Sequence, residues 1–248
     1  MSLTRDRMVH YGRWALGTLQ RFTEFRALLI VLAVTGCGWL FIAIAEEVLE
    51  GDTHQLDSAL LLGLRAPGDI GDPIGPPWVE ELARDFTALG GFGILASITL
   101  AVCGFLYLQR QVRTMSFLAI AVLGGTVVTT LAKLAFDRPR PELVSHEVAV
   151  SSASFPSGHS MLAATTYLTL AVIVAHAQQR RRMKIYIVAL AILVTFAVGA
   201  SRVYLGVHWP TDVLAGWAGG AAWALSCWLV ARWLEQRGAI EHQPVEGE

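Results

Sequence analysis

The chain has 248 residues, of which 54% are hydrophobic and 16% charged. A soluble domain carries about a quarter charged residues, so the deficit points to a membrane as solvent. The net charge of −1 excludes a bulk-electrostatic nucleic-acid binder, and no nucleic-acid partner is expected.

A membrane helix needs about 20 mostly apolar residues. Six segments approach this: Ala27 to Ala45, Ala88 to Leu108, Met115 to Ala132, Ser160 to Ala177, Ile185 to Ala200 and Val213 to Ala231. The first begins after a polar arm and is too long for a cleaved signal core. Cys37, Cys103 and Cys227 lie inside apolar runs, without the paired spacing of a zinc site, and read as small apolar residues. The expected fold is all-α: a single polytopic membrane domain over residues 1–248, with six transmembrane helices and short amphipathic helices on the outer face. Within it, residues 1–26 form a cytoplasmic arm, 46–87 an outer connection and 235–248 a cytoplasmic tail.

Basic residues set the orientation. Arg5, Arg7, Arg13, Arg21 and Arg26 precede the first segment. Arg110 and Arg113 lie in the second connection, Arg180, Arg181, Arg182 and Lys184 in the fourth, and Arg232 and Arg237 in the tail. The positive-inside rule puts these flanks, and both termini, in the cytoplasm. The first connection is acidic, from Glu46 to Asp85, and is expected outside. Within it, Leu56, Leu60, Leu61 and Leu64 fall at helical spacing. Pro67, Gly68, Pro73, Gly75, Pro76 and Pro77 then break the chain, and Trp78, Leu82 and Phe86 resume a stripe. Two short helices on the outer surface fit this pattern, as a cover for a site, a guide for a lipid tail or a plain packed connector.

Six basic residues remain on the outer side: Arg65, Arg84, Lys133, Arg138, Arg140 and Arg202. A single cation at a helix end is often a snorkelling anchor. Four of these, however, cluster beside histidines at the outer ends of the third and fifth helices, which favours a binding site. Three short clusters result, over residues 133–212: Lys133 to Arg140-Pro141; Pro156-Ser157-Gly158-His159; and Ser201-Arg202, His208, Asp212. In the six-helix arrangement all three face the same side.

Lys133, Arg140 and Arg202 supply positive charge for a phosphate, whose oxygens guanidinium groups grip in pairs. Ser157 and Gly158 open a helix whose free N–H groups and dipole favour an anion. Pro210 suits the first turn of the last helix and would bring the Asp212 carboxylate to one ring nitrogen of His208. The other nitrogen could then attack phosphorus. His159, opposite, could protonate the leaving oxygen and later activate water. The other histidines, His10, His54, His146, His176 and His242, read as polar interface residues.

These clusters resemble the three-part signature of the type 2 phosphatidic acid phosphatase superfamily: Lys, six residues, Arg-Pro; Pro-Ser-Gly-His; and Ser-Arg, five residues, His, three residues, Asp. The resemblance implies His208 as nucleophile, His159 as acid, Asp212 as the partner orienting His208, and Lys133, Arg140, Ser157, Gly158 and Arg202 as phosphate ligands. It also implies a metal-independent reaction with no cofactor. Arg138-Pro139 duplicates Arg140-Pro141; the six-residue gap selects Arg140 and leaves Arg138 as a supporting or headgroup contact. The expected activity is hydrolysis of a membrane lipid phosphate or diphosphate through a phosphohistidine. Undecaprenyl diphosphate, phosphatidylglycerol phosphate and phosphatidate are the candidate substrates, and the first is favoured. The expected place is the periplasmic face of a bacterial inner membrane, with the bilayer and the lipid as partners. A lipid-phosphate carrier and a vanadium haloperoxidase-like enzyme are the alternatives. Nothing in the sequence sets an oligomeric state.

Overall fold

A computed structural model describes residues 27–141 and 153–236. The basic arm, most of the tail, and His10, His146 and His242 lie outside the described residues. The order is α1 (Ala27–Glu50), α2 (His54–Leu62), β1 (Arg65–Ala66), β2 (Asp69–Pro73), α3 (Pro77–Leu89), α4 (Phe92–Leu108), α5 (Val112–Ala135), α6 (Gly158–His176), α7 (Arg181–Tyr204) and α8 (Pro210–Gln236). Five helices, α1 and α5 to α8, are each long and apolar enough to cross a membrane. Helices α3 and α4 meet that test together, bent by 49°, which makes up to six spans. The chain is an integral membrane protein with an all-α body.

The second span departs from the expected continuous run starting at Ala88. Gly90 and Gly91 interrupt it, and Gly91 is the extended N-cap of α4. The two short helices expected in the first connection are present as α2 and α3. They differ in setting, because α3 packs along α7 and runs into α4. Their apolar stripes are split. Leu61 of α2 is buried, whereas Leu56 and Leu60, like Trp78 and Leu82 of α3, are exposed. Between the helices, β1 and β2 form an antiparallel hairpin that the sequence pattern did not suggest. Its turn carries Pro67 and Gly68; Gly68 has φ of 96°, which glycine tolerates and side chains resist.

Helix α6 is the axis of the bundle, contacting α4, α5, α7 and α8. Its buried positions include Ser160, Ala163, Ala164, Thr165, Thr166, Thr169 and Ala171. Lipid tails are as apolar as leucine, so membrane helices associate through close packing of small residues rather than by escaping water. The Thr169 hydroxyl returns a hydrogen bond to the Thr165 carbonyl at 2.6 Å, so the polar group stays satisfied. Opposite α6, helix α8 presents Gly216 and Gly220. A Cβ on Gly220 would overlap the Met161 carbonyl and sit 2.7 Å from Ala164 Cβ.

Two tryptophans of α8 key the remaining helices to this pair. The Trp217 ring lies on Gly199 of α7, and its indole N–H donates to the Thr195 carbonyl at 3.0 Å. The Trp223 ring lies on Gly124 of α5, with its N–H on the Ala121 carbonyl at 2.8 Å. A missing side chain on one helix thus receives a large ring from the next, and each indole donor finds a carbonyl. This packing fixes the ends of α5, α6, α7 and α8 relative to one another.

Gly220→Ala is therefore expected to lower thermal stability in detergent by about 1–3 kcal/mol, as overpacking does. Gly104→Ala, where a Cβ meets nothing within 4 Å, is the control. Its melting temperature should match the wild type's, and equal stability of both variants would contradict close α6–α8 packing.

Candidate active site

The C-terminal ends of α5 and α7 and the N-terminal ends of α6 and α8 meet at one end of the bundle. Lys133 projects from the last turn of α5 and Arg202 from the last turn of α7. Gly158 and His159 open α6, and Asp212 stands in the first turn of α8. Arg138 and Arg140 lie in the extended segment after α5, and His208 in the bend before α8. All three sequence clusters therefore converge. Lys133 interacts electrostatically with Arg140, Arg202 and Asp212. His159 does so with Arg202, His208, Arg140 and Lys133.

His208 is 1% exposed. Its Nδ1 lies 3.4 Å from Asp212 Oδ2 and 3.3 Å from Ser154 Oγ. Its Nε2 lies 3.3 Å from Arg140 Nη1. Arginine has donors only, so this contact requires a lone pair on Nε2. The ring proton then belongs on Nδ1, facing the carboxylate. Burial holds the imidazole well below its ordinary pKa of 6.5, down to about 3, with Arg202 and Arg140 acting in the same direction and Asp212 opposing them. Neutral His208 thus keeps a lone pair on Nε2 across the ordinary pH range.

Asp212 is fully buried. Its Oδ2 also accepts from Ser154 Oγ at 2.5 Å and from the Trp209 backbone N–H at 3.0 Å. Its Oδ1 accepts from Arg138 Nη1 at 2.6 Å. The other arm of the same guanidinium reaches Asp57 Oδ2 of α2 at 2.7 Å. Pro210 stands first in α8, as its fixed φ suits, and the four-residue step carries Asp212 back toward His208.

The cations are held by neutral groups as well. Lys133 Nζ donates to the Ala153 carbonyl at 2.6 Å. Arg140 Nη1 donates to the Val207 carbonyl at 3.1 Å, and burial lowers its pKa. Arg202 Nη1 donates to Thr87 Oγ1 of α3 at 3.0 Å, while its Nε is buried without a partner. Such an orphaned donor is costly unless a ligand fills it.

At the start of α6, Ser157 Oγ caps the helix, accepting from Ser160 Oγ at 3.0 Å and from its backbone N–H at 3.5 Å. The first-turn N–H groups of Gly158 and His159 have no acceptor inside the helix by geometry. A Cβ on Gly158 would sit 3.3 Å from Lys133 Cε, so glycine keeps that lysine in place. The α3–α4 corner forms a wall beside His159. A Cβ on Gly90 would come within 3.2 Å of the His159 carbonyl, and the Tyr167 hydroxyl donates to the Leu89 carbonyl at 2.9 Å. Among the described residues no group of three or more His, Cys, Asp and Glu could hold a metal ion.

Arg84 and Arg65 do not join the site in the same way. Arg84 pairs with Glu80 on the exposed face of α3. Arg65 is buried and donates to the Tyr204 carbonyl at 2.6 Å, closing the end of α7. Two contributors, Asp57 and Ser154, were not singled out in the sequence, whereas Arg138 makes the supporting contact that was one of the two expected of it, between Asp57 and Asp212. Asp57 carried one usable signal. It stands four residues before Leu61, and these two are the buried pair of α2.

The sequence pattern of the PAP2 superfamily matches residues 113–236. Phosphatidylglycerophosphatase B of Bacillus subtilis is 35% identical over 152 residues, which cover 59% of this chain and 72% of that protein. An undecaprenyl-diphosphatase of Sulfolobus acidocaldarius is 36% identical over 107 residues, covering 43% of this chain and 47% of its own length. The crystal structure of a transmembrane PAP2-type phosphatidylglycerolphosphate phosphatase from Bacillus subtilis superposes with a TM-score of 0.67 at 26% identity, covering 84% of this chain and 98% of that one. With the matched pattern spanning α5 to α8 and all three clusters inside it, this chain belongs to the PAP2 superfamily.

Proposed function

We propose that the protein hydrolyses a phosphate from a membrane lipid phosphate or diphosphate, through a phosphohistidine on His208. The observation that carries this reading is the charge balance around His208. Lys133, Arg138, Arg140 and Arg202 face two buried carboxylates, Asp57 and Asp212, which leaves this group two positive charges in excess. A phosphate monoester brings about −1.5 to −2. The orphaned Arg202 Nε and the first-turn amides of Gly158 and His159 supply donors for its oxygens.

The steps follow from the ring geometry. Nε2 of His208 forms a bond to phosphorus as the bond from phosphorus to the lipid oxygen breaks. The departing oxygen takes a proton from His159. Positive charge now shared by the phosphorylated ring is balanced by Asp212 across Nδ1–H. Water then gives a proton to His159 as its oxygen attacks phosphorus, and the N–P electrons return to Nε2. Lys133, Arg140 and Arg202 stay on the equatorial oxygens throughout, and Ser157 joins them through its hydroxyl proton. With this positive charge supplied by side chains, the reaction runs in chelator.

The similar proteins are named for glycerophospholipid and polyprenyl substrates. Undecaprenyl diphosphate, phosphatidylglycerol phosphate and phosphatidate are therefore the substrates to test. The exposed Leu56, Leu60, Trp78 and Leu82 of α2 and α3 suit an interface where a lipid headgroup is held. The basic connections after α4 and α6 support the reading in which the opposite end of the bundle faces the cytoplasm and the site the periplasm.

Purified protein is expected to release phosphate from at least one of these lipids in the presence of EDTA. His208→Ala should lower turnover by about six orders of magnitude, as loss of a nucleophile does. Binding without release in wild type would instead indicate a carrier.

The ring geometry gives a second expectation. Because burial lowers the His208 pKa, the ring is uncharged above about pH 3. In histidine-labelled protein, nitrogen NMR should show a neutral, Nδ1-protonated His208 at both pH 8 and pH 5. Protonation with a midpoint near 6.5 would contradict the buried, cation-flanked setting.

A further inference from the structure

The sequence left Arg138 without a fixed role, and the hydrolytic scheme places no substrate atom on it. Its surroundings are specific. Nη1 donates to Asp212 Oδ1 at 2.6 Å and to Thr211 Oγ1 at 2.8 Å. Nη2 donates to Asp57 Oδ2 at 2.7 Å and to Thr53 Oγ1 at 3.0 Å. The guanidinium carbon lies 5.6 Å from the centre of the Trp209 ring. Both carboxylates are fully buried, and the arginine side chain is 11% exposed. Both terminal nitrogens are thus committed inside the protein, which argues against a headgroup contact.

We propose that Arg138 and Asp57 are positioning residues for the nucleophile, acting through Asp212. This rests on the reading of His208 as the attacking group. Arg138 occupies only Oδ1 of Asp212. That fixes the rotation of the carboxylate and turns Oδ2 toward His208 Nδ1. A buried guanidinium between two carboxylates also leaves one negative charge over, and that charge faces the ring that becomes positive on phosphorylation. Asp57 sets the other end. It holds the arginine and also accepts from the Thr211 backbone N–H at 3.0 Å and the Thr211 hydroxyl at 2.6 Å, in the first turn of α8. Helix α2 of the outer connection is thereby bonded to the turn that carries Asp212. Lysine cannot reproduce the fork, because its ammonium is a single point charge.

The test uses full-length protein in detergent or nanodiscs with a lipid phosphate that wild type hydrolyses. Arg138→Lys keeps the charge, and the pair Asp57→Asn with Arg138→Gln removes both partners without changing net charge. For each, kcat, KM, melting temperature and the phosphohistidine trapped on rapid quenching are measured. The expected result is a kcat lowered about 10- to 100-fold, the cost of a slightly misplaced catalytic group. KM should stay within about twofold, and phosphoenzyme formation should slow in proportion to kcat. A folded variant of either kind with kcat near wild type overturns the proposal. So does a variant that raises KM alone, which would make Arg138 a substrate ligand. Loss of the fold in both variants would assign the network to stability alone and overturns it equally. A wild type that hydrolyses no lipid phosphate, or an active His208→Ala, would instead remove the hydrolytic reading itself.

Discussion

Like charges gathered in an apolar bundle are the constraint on which the rest of this protein depends. Lys133 and Arg140, from the end of α5 and the segment after it, and Arg202, from the end of α7, are pressed together at one end of the helices. In a low-dielectric setting their mutual repulsion works against folding. Asp212 is the carboxylate nearest to offsetting it, and its oxygens are already shared with Arg138, Ser154, Trp209 and His208. The remaining positive excess is tolerable only if packing energy holds the helix ends in place. The close α6–α8 contact and the tryptophan rings seated on Gly124 and Gly199 provide that hold. A bound dianion would relieve that repulsion, which supports the proposal that this end of the bundle takes a phosphate.

This division of labour explains the unusual composition of the central helix. An apolar helix facing lipid needs only large side chains, and α1, with its many exposed leucines, is of this kind. Helix α6 instead carries alanine, serine and threonine on all its buried positions but Met161. Small side chains let neighbouring backbones approach; the Thr169 hydroxyl bonds within its own helix and the Thr165 hydroxyl reaches the Gly220 carbonyl of α8. The rigid frame that results places the first turn of α6 against Lys133. The interrupted α3–α4 span closes the side near His159, through Gly90, Thr87 and Leu89.

Much of this was legible in the sequence. The apolar runs are long and separated by charge, so element type and order followed from period and length. The three clusters carried their own spacing, and the folded chain brings them to one end. Pro210 marked the start of α8, where it is found. What escaped was tertiary. The break at Gly90–Gly91 lies inside a run whose hydropathy is continuous, and Gly90 packs so close to Val198 and His159 that no Cβ would fit there. The hairpin between α2 and α3 is two and five residues long, too short for an alternating pattern to register. Asp57 looked like one acid among ten in a solvent-facing connection. Its burial depends on Arg138, which is 81 residues away, and no local pattern reports a contact at that distance.

The central claim is that a covalent bond forms between phosphorus and His208 Nε2. The most direct measurement is mass spectrometry of the enzyme quenched in alkali during turnover of a lipid phosphate, since phosphohistidine survives base. A phosphoryl group on the peptide containing His208, absent from a His208→Ala control and decaying at a rate no slower than turnover, is the expected result. An enzyme that turns over rapidly with no phosphoryl group on His208, or with the label on another side chain, would contradict the claim.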